Sequence, residues 1–421
     1  MSEPLILISR KQALLFASFL VLYEFLTYIA NDMIMPGMIQ VVKSFNAPES
    51  TVATSLTIYI LGGASLQLIL GPISDAYGRR PLMLIGAGLF CFFTVLIACS
   101  YSMNQFLTAR FFQGMGLCFI SVIGYATIQE IFEEMDAIRL IAIMANAAIL
   151  APLLGPLLGA IIIHYATWRI IFIMIAIGAV FALWGLMKYM PEPIGQTTKK
   201  GAVIPRTPFS PAIIWGNYKA LLTNKTFCCG SLALGLIGIP CVAWIALAPI
   251  ILISEGKLTV IQYGLWQLPV FGATIIGNWV LHRLTYKYAI KTIMYWGCFI
   301  LAFGTSLMAL LPYFYGNHYY YLLPGTIIYF FALSIMNAPL NRFCLYITHV
   351  SKGTVSAIVS LSVMVIGAIG IEIANIIYEQ HKNLYFGLYS NAIIALFLFF
   401  IGLAFWFDRT AETSASVSGI K

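Results

Sequence analysis

Apolar blocks recur along the whole chain, each close to the ~20 residues a helix needs to cross a ~30 Å hydrocarbon layer. Runs such as Leu82 to Ala98 and Ala392 to Phe407 show no alternation. They therefore do not read as strands of an outer-membrane barrel, whose segments alternate over about 10 residues. With 61% hydrophobic and 9% charged residues in 421, the chain also lacks enough polar surface to be covered in water. The expected fold class is an all-α membrane protein with twelve transmembrane helices, at 12–38, 50–73, 81–100, 104–128, 137–165, 167–190, 226–253, 260–282, 290–312, 320–346, 353–378 and 384–407. Five prolines between Pro191 and Pro211 interrupt the pattern after the sixth block. The expected organisation is a six-helix half at 1–190, a cytoplasmic linker at 191–225, a second six-helix half at 226–409 and a disordered polar tail at 410–421. Such halves suit a parallel repeat about the membrane normal, with a substrate path where they meet.

The net charge of +8 would point a soluble protein toward nucleic acid, but here the basic residues fall in the gaps between apolar blocks. With the amino terminus inside, eighteen of the 23 Lys and Arg lie on the inner side. Only Lys43, Arg169, Lys257 and Lys382 lie at the outer side, and Arg110 alone is placed well inside a span, away from its ends. This asymmetry predicts that both termini are cytoplasmic, in a multi-pass protein of a bacterial inner membrane. The first apolar run is too long for a signal-peptide h-region and no small-residue cleavage site follows it, so that helix is expected to stay in the mature protein. All eight cysteines sit in or beside apolar blocks without a C-x-x-C pair, which reads as packing residues, not disulfides or a metal site. No cofactor is expected.

Two acids, Glu24 and Asp32, lie in the first span. A charged Asp at the centre of a spanning helix costs roughly 2.5 to 3.5 kcal/mol, so an acid there is a functional candidate. Eight residues separate the pair by about 12 Å and about 80°, which allows both to face one cavity at different depths. Tyr28 lies between them. Arg110 enters the fourth span about six residues from its outer end, roughly 9 Å deep, and Asp32 is expected at similar depth. Their pairing would offset the burial cost of both, with Gln113 on the same helix face as the arginine. Burial favours a neutral Asp32 and the arginine favours its anion, whereas Glu24 has no cation in its own helix. Glu372, about nineteen residues beyond Gly353, reads as reaching the outer headgroups.

The gap after the second span, Gly71 to Pro81, packs Gly71, Asp75, Gly78, Arg79 and Arg80 into a short segment. Its glycines and proline predict a tight turn. Asp75 is expected to accept from amides at a helix amino terminus, and an arginine to pair with an acid at another helix end, with Glu130, Glu133 and Glu134 as candidates. Such a cluster would latch one state shut.

This segment resembles the signature between helices two and three of the major facilitator superfamily. Arg110, Gln113 and Gly114 resemble a second motif of the family, and Pro152, Gly155, Pro156 and Gly159 resemble the motif of its drug/proton antiporter branch. Leu22 to Met38, Gly124 to Glu134 and Lys352 to Ala357 are similar to multidrug members of that branch. The resemblance implies the twelve-helix fold of the superfamily and export coupled to proton entry, with Glu24, Asp32 and Arg110 serving proton coupling. Tyr28, Asn31, Asp32, Gln113, Tyr125, Met144 and Asn146 are the candidate substrate contacts, because aromatics and methionine adapt and amides orient polar groups. The span-five glycines and prolines are expected to allow close packing and a bend.

The expected function is a monomeric secondary transporter exporting small lipophilic cationic or neutral compounds by alternating access. Its partners are the small-molecule substrate, protons and the lipid bilayer, with no nucleic acid. A dedicated carrier for one metabolite or siderophore, exporting or importing it, is the alternative within the same fold. No Gly-x-x-x-x-Gly-Lys-Ser/Thr loop supplies an ATP site, and neither His-Glu-x-x-His nor Gly-x-Ser-x-Gly marks an intramembrane enzyme.

Overall fold

The computed structural model describes residues 4–199, 201, 203–206, 210–348, 350 and 352–418. Eleven of its helical stretches are long and apolar enough to cross a membrane: Arg10–Ser44, Thr51–Tyr77, Arg79–Ala98, Met103–Ile131, Glu134–Tyr165 and Trp168–Tyr189, then Lys225–Glu255, Ile290–Tyr315, Tyr319–Tyr346, Lys352–Gln380 and Lys382–Arg409. The remaining predicted span, the eighth, is the 25-residue helix Val260–Leu284. Gln262, Gln267, Asn278 and His282 dilute its hydropathy while its length still suffices to cross. The chain thus carries twelve transmembrane helices, six on each side of the central linker. Large apolar side chains such as Ile177, Phe299, Phe399 and Trp406 stand more than half exposed, a surface that suits lipid and not water.

The chain divides into two compact units, Met1–Pro211 with Leu258–Leu265, and Ala212–Lys257 with Trp266–Lys421. Two features depart from the sequence expectation. The linker contains a helix, Pro211–Thr223, which buries Tyr218 and Leu221. The last helix continues to Ser418, through most of the tail expected to be disordered, and 419–421 lie outside the described residues. The eleventh and twelfth spans are separated by a non-helical Lys382 with φ of 62°.

Within the first unit, glycines set how closely helices approach. Gly62 faces the Phe111 carbonyl and Gly114 faces the Tyr59 carbonyl, so the second and fourth spans touch backbone to backbone. A Cβ at Gly155 would lie 2.8 Å from the Asp32 Cβ, and one at Gly159 would strike the Met33 carbonyl. The span-five motif therefore presses directly on the acid-bearing stretch of the first span. Its helix runs continuously through Pro152 and Pro156. The first span itself breaks just after Asp32, where Met35–Gly37 forms a 3-10 turn around Pro36, because proline removes a ladder donor and crowds the preceding turn.

The second unit is stapled in a comparable way. The Tyr329 hydroxyl donates to the Ile237 carbonyl at 2.6 Å and accepts from the Cys241 amide at 3.1 Å. It is thereby inserted into the seventh span's own ladder beside Pro240. Trp244 Nε1 donates to Gln267 Oε1 at 3.0 Å, joining the seventh and eighth spans. Gly235 and Gly370 leave room only for Ile366 and Ile239, which brings the eleventh span against the seventh.

Candidate functional site

Arg110, Gln113 and Gly114 share one face of the fourth span by their i, i+3, i+4 spacing. Because Gly114 has no side chain, that face meets the second span at Tyr59, and the Arg110 guanidinium carbon comes to rest 4.4 Å from the Tyr59 ring centroid. A cation over an aromatic face recovers part of its lost hydration. Tyr59 in turn donates its hydroxyl to the Thr27 carbonyl of the first span. Nothing in the sequence pattern marked Tyr59 among many aromatic residues.

Arg110 is fully buried, its two Nη groups donate to neutral acceptors, and its Nε is buried without a hydrogen-bond partner. Nη2 donates to Asn31 Oδ1 at 2.7 Å, and Nη1 donates to Gln113 Oε1 at 2.8 Å and to the Ala30 carbonyl at 3.3 Å. Gln113 passes the chain on to Thr94 Oγ1 at 2.9 Å. The expected ion pair between Arg110 and Asp32 is not made. Asn31 stands between them and donates from Nδ2 to Asp32 Oδ1 at 3.2 Å. Depth alone placed the two charges together, but neighbouring positions on the first span point about 100° apart, and it is Asn31 that faces the guanidinium.

Glu24 lies deeper along the same helix and is wholly buried. Its Oε1 accepts from the Tyr125 hydroxyl at 2.8 Å, while Oε2 is buried without a partner. Tyr125 comes immediately after a π-helical turn, Ile120–Gly124, in the fourth span. Such a turn accommodates an extra residue and rotates the next helical segment by about 100° relative to an α register, which is one way a helix aims a side chain at a site. Tyr28, expected to bridge the two acids, is half-buried and hydrogen-bonds to neither of them. It lies within electrostatic reach of both acids, while the hydrogen bond to Glu24 comes from Tyr125. Met144 is buried in the fifth span and Asn146 is exposed on it.

The charged segment after the second span is built differently from the expected tight turn. Gly71 and Pro72 lie inside the helix Gln67–Tyr77, and the break is confined to Gly78, whose φ of 111° is a conformation open chiefly to glycine. Gly71 has ordinary space, its nearest outside neighbour being Val122. Arg79 is the hub. It forms an ion pair with Asp75 Oδ1 at 2.6 Å and a two-pronged pair with Glu130, from Nη2 at 2.7 Å and Nε at 3.2 Å, and it also donates to Ser74 Oγ. The amides at the start of the third span go not to Asp75 but to Glu192, whose two oxygens accept from Arg79 N at 3.0 Å and Arg80 N at 2.9 Å. Glu192 sits directly after Pro191 and reads in sequence as part of a linker. Its role at a helix amino terminus, where four amides lack partners, appears only in three dimensions. The same end is tied further by the Leu5 amide to the Ile131 carbonyl and the Lys199 amide to the Leu5 carbonyl, both at 2.7 Å.

A family model described as Major Facilitator Superfamily matches residues 20–371. The chain belongs to the major facilitator superfamily. Among curated relatives, it is 43% identical to the multidrug transporter MdfA of Yersinia pestis bv. Antiqua (strain Angola) over 399 residues, covering 95% of each chain. It is 42% identical to the multidrug transporter MdfA of Escherichia coli O157:H7, over 93% of this chain and 94% of that one. Among solved structures, a bacterial homolog of the human lysosomal transporter Spinster, inward-facing and unoccupied, aligns with a TM-score of 0.70 at 13% identity over 96% of this chain and 98% of that one. The human organic anion transporter MFSD10 (TETRAN) aligns with a TM-score of 0.66 at 16% identity, over 93% and 99% of the two chains. At these identities the structural likeness concerns the fold of the superfamily alone.

Proposed function

We propose that this member of the superfamily is a proton-coupled multidrug exporter, expelling small lipophilic cations or neutral compounds from the cytoplasm as protons enter. The observation that carries the reading is the unequal pair of membrane-embedded acids on the first span. Glu24 has a single neutral donor and one sealed, unpartnered oxygen. Asp32 is joined to the buried Arg110 through Asn31. Glu24 is the better holder of a proton, and Asp32 the better sensor of substrate, because a ligand that draws on Asn31 or Asp32 disturbs the links to the guanidinium at once. Gln113 and Tyr59 hold Arg110 in place, while Tyr28, Asn31, Tyr125, Met144 and Asn146 are the proposed substrate contacts. The Arg79, Asp75, Glu130 and Glu192 cluster, turning on Gly78, serves as the latch of one transport state. The glycines and prolines of the fifth span set how tightly the first span is held against it.

The similarity to MdfA multidrug transporters over nearly the full chain supports export of several compounds over carriage of one metabolite or siderophore. The proposed setting is a bacterial inner membrane with both termini cytoplasmic, a reading the distribution of basic residues supports, and a monomer suffices. The deciding experiment is substrate-induced proton release from purified protein, together with efflux from proteoliposomes driven by an imposed pH gradient. Several chemically unrelated compounds should be exported with saturable kinetics. Transport of one compound alone, or flux indifferent to the pH gradient, would remove the multidrug antiporter reading.

A further inference from the structure

The eleventh span carries an acid that the first-span network does not use. Glu372 lies eight residues before the end of the helix Lys352–Gln380, about 12 Å along the axis from that end. The helix is 29 residues long, about 43 Å against a ~30 Å hydrocarbon layer, which puts Glu372 near one edge of that layer. The side chain sits on the border between the exposed Ile369, Ile373 and Ile376 and the buried Ala368 and Ile371. One carboxyl oxygen, Oε1, is sealed from solvent and has no hydrogen-bond partner.

The two first-span acids have donors of their own, Tyr125 for Glu24 and Asn31 for Asp32. Glu372 has none among the described residues, and no described cation of its unit is paired with it. The ion pairs described in that unit are Lys382 with Glu255 and Lys291 with Asp408. Lys382 is further held beside Tyr378, whose hydroxyl also donates to Glu255. An uncompensated acceptor in apolar surroundings is costly, and such residues inside membranes mark pathways of ions or charged substrates. A single carboxylate flanked by aliphatic side chains is poorly suited to a metal ion, which would need several more oxygen ligands. It suits the positive group of an amphiphile whose remainder is apolar.

The geometry points to Glu372 as a cation-recognition site in the second unit, taking the positively charged nitrogen of a lipophilic organic cation against the aliphatic surface of Ile369, Ile373 and Ile376. The site rests on the proposed export of lipophilic compounds for its purpose but is read out by binding, independently of transport. The full-length protein is reconstituted in phosphatidylcholine and phosphatidylglycerol, which carry no amine headgroup that could be mistaken for substrate. It is then treated with dicyclohexylcarbodiimide, and modification of Glu372 is tracked by mass spectrometry. Saturating ethidium should reduce that modification at least fivefold, and an uncharged aromatic compound of similar size should not. Glu372→Gln should raise the half-saturating ethidium concentration at least tenfold relative to that for the uncharged compound. Unchanged labelling with ethidium, equal protection by the uncharged compound, or unaltered ethidium affinity in the glutamine variant overturns the site. Protection by added phosphatidylethanolamine but not by ethidium overturns it too, in favour of a lipid contact. If ethidium protects Glu372 but no pH-driven efflux is found, the transport reading fails and the binding site stands.

Discussion

Asn31 accepts from Arg110 at 2.7 Å, and through this amide the buried guanidinium reaches Asp32 without touching it. An ion pair locked in low dielectric would be hard to open, since separating it strands a charge. An amide between the two lets either side exchange partners at lower cost. Asn31→Ala should therefore destabilise the protein by about 1–3 kcal/mol, the usual consequence of leaving a buried donor unmet. It should also weaken the response of Asp32 to substrate. Thermal unfolding in detergent, paired with substrate affinity of Asn31→Ala alone and combined with Asp32→Asn, checks this. Additive effects of the two substitutions on affinity would show that Asn31 does not couple the acid to the arginine.

Glu24→Gln keeps an oxygen for the Tyr125 hydroxyl and so should fold normally. If the two acids share the proton load, proton release on substrate addition should fall by about half in Glu24→Gln and again on adding Asp32→Asn. Substrate affinity should suffer more from the Asp32 change. Direct measurement of released protons in weak buffer decides it. Full proton release and intact pH-driven efflux in both single variants would sink the coupling scheme.

How much of this was legible in the sequence differs by feature. Spans were readable because a bilayer forces long apolar helices, and even Val260–Leu284, diluted by glutamines and asparagine, was found from its length. The two acids and Arg110 stood out because charge inside a span is rare. What the sequence could not supply was azimuth between helices. Asp32 and Arg110 share a depth, yet the hydrogen bond goes to Asn31. Tyr125, by contrast with Tyr28, reaches Glu24 after a π turn that no residue pattern announced. Glu192 was hidden because a capping acid between two prolines looks like linker until the helix it caps is placed beside it.

Glycine positions make a graded test of packing. Gly159 faces the Met33 carbonyl and Gly155 faces the Asp32 Cβ, neither of which can swing aside. Alanine at either should cost about 1–3 kcal/mol as an overpacking strain and displace Asp32, lowering transport. Gly71→Ala, with only Val122 nearby at 3.6 Å, should be tolerated. Unfolding temperatures of the three variants provide the comparison, and equal behaviour would contradict the close approach of the first and fifth spans.

At the latch, Gly78→Ala would force an L side chain into a φ of 111° and against the Glu192 carboxylate. A cost of about 1–3 kcal/mol is expected from such strain. Glu192→Ala leaves the Arg79 and Arg80 amides without their acceptor and should cost about 0.5–2 kcal/mol, the range for losing a helix cap. Glu192→Gln, which retains an oxygen, should recover part of it. Thermal unfolding of the three variants reads this out. Loss on Glu192→Ala with no recovery by glutamine would assign the effect to charge, whereas no loss at all would exclude Glu192 from the latch.

Charge balance distinguishes the substrates by what drives them. One proton exchanged for a monovalent cation moves no net charge, so export of such a cation should track the pH gradient and ignore the membrane potential. One proton exchanged for a neutral molecule moves one charge, and 100 mV then contributes roughly 2.3 kcal/mol, enough for nearly a fiftyfold concentration ratio. Collapsing the potential with valinomycin in symmetric potassium, at constant pH gradient, should slow efflux of the neutral compound and spare the monocation. With the proton load shared between the two acids, the glutamine variant of Glu24 and the asparagine variant of Asp32 should each lose part of the voltage-dependent component, and the double variant all of it. Neutral efflux that is blind to voltage would mean that a second charge moves with the proton, and the one-for-one exchange would have to be abandoned.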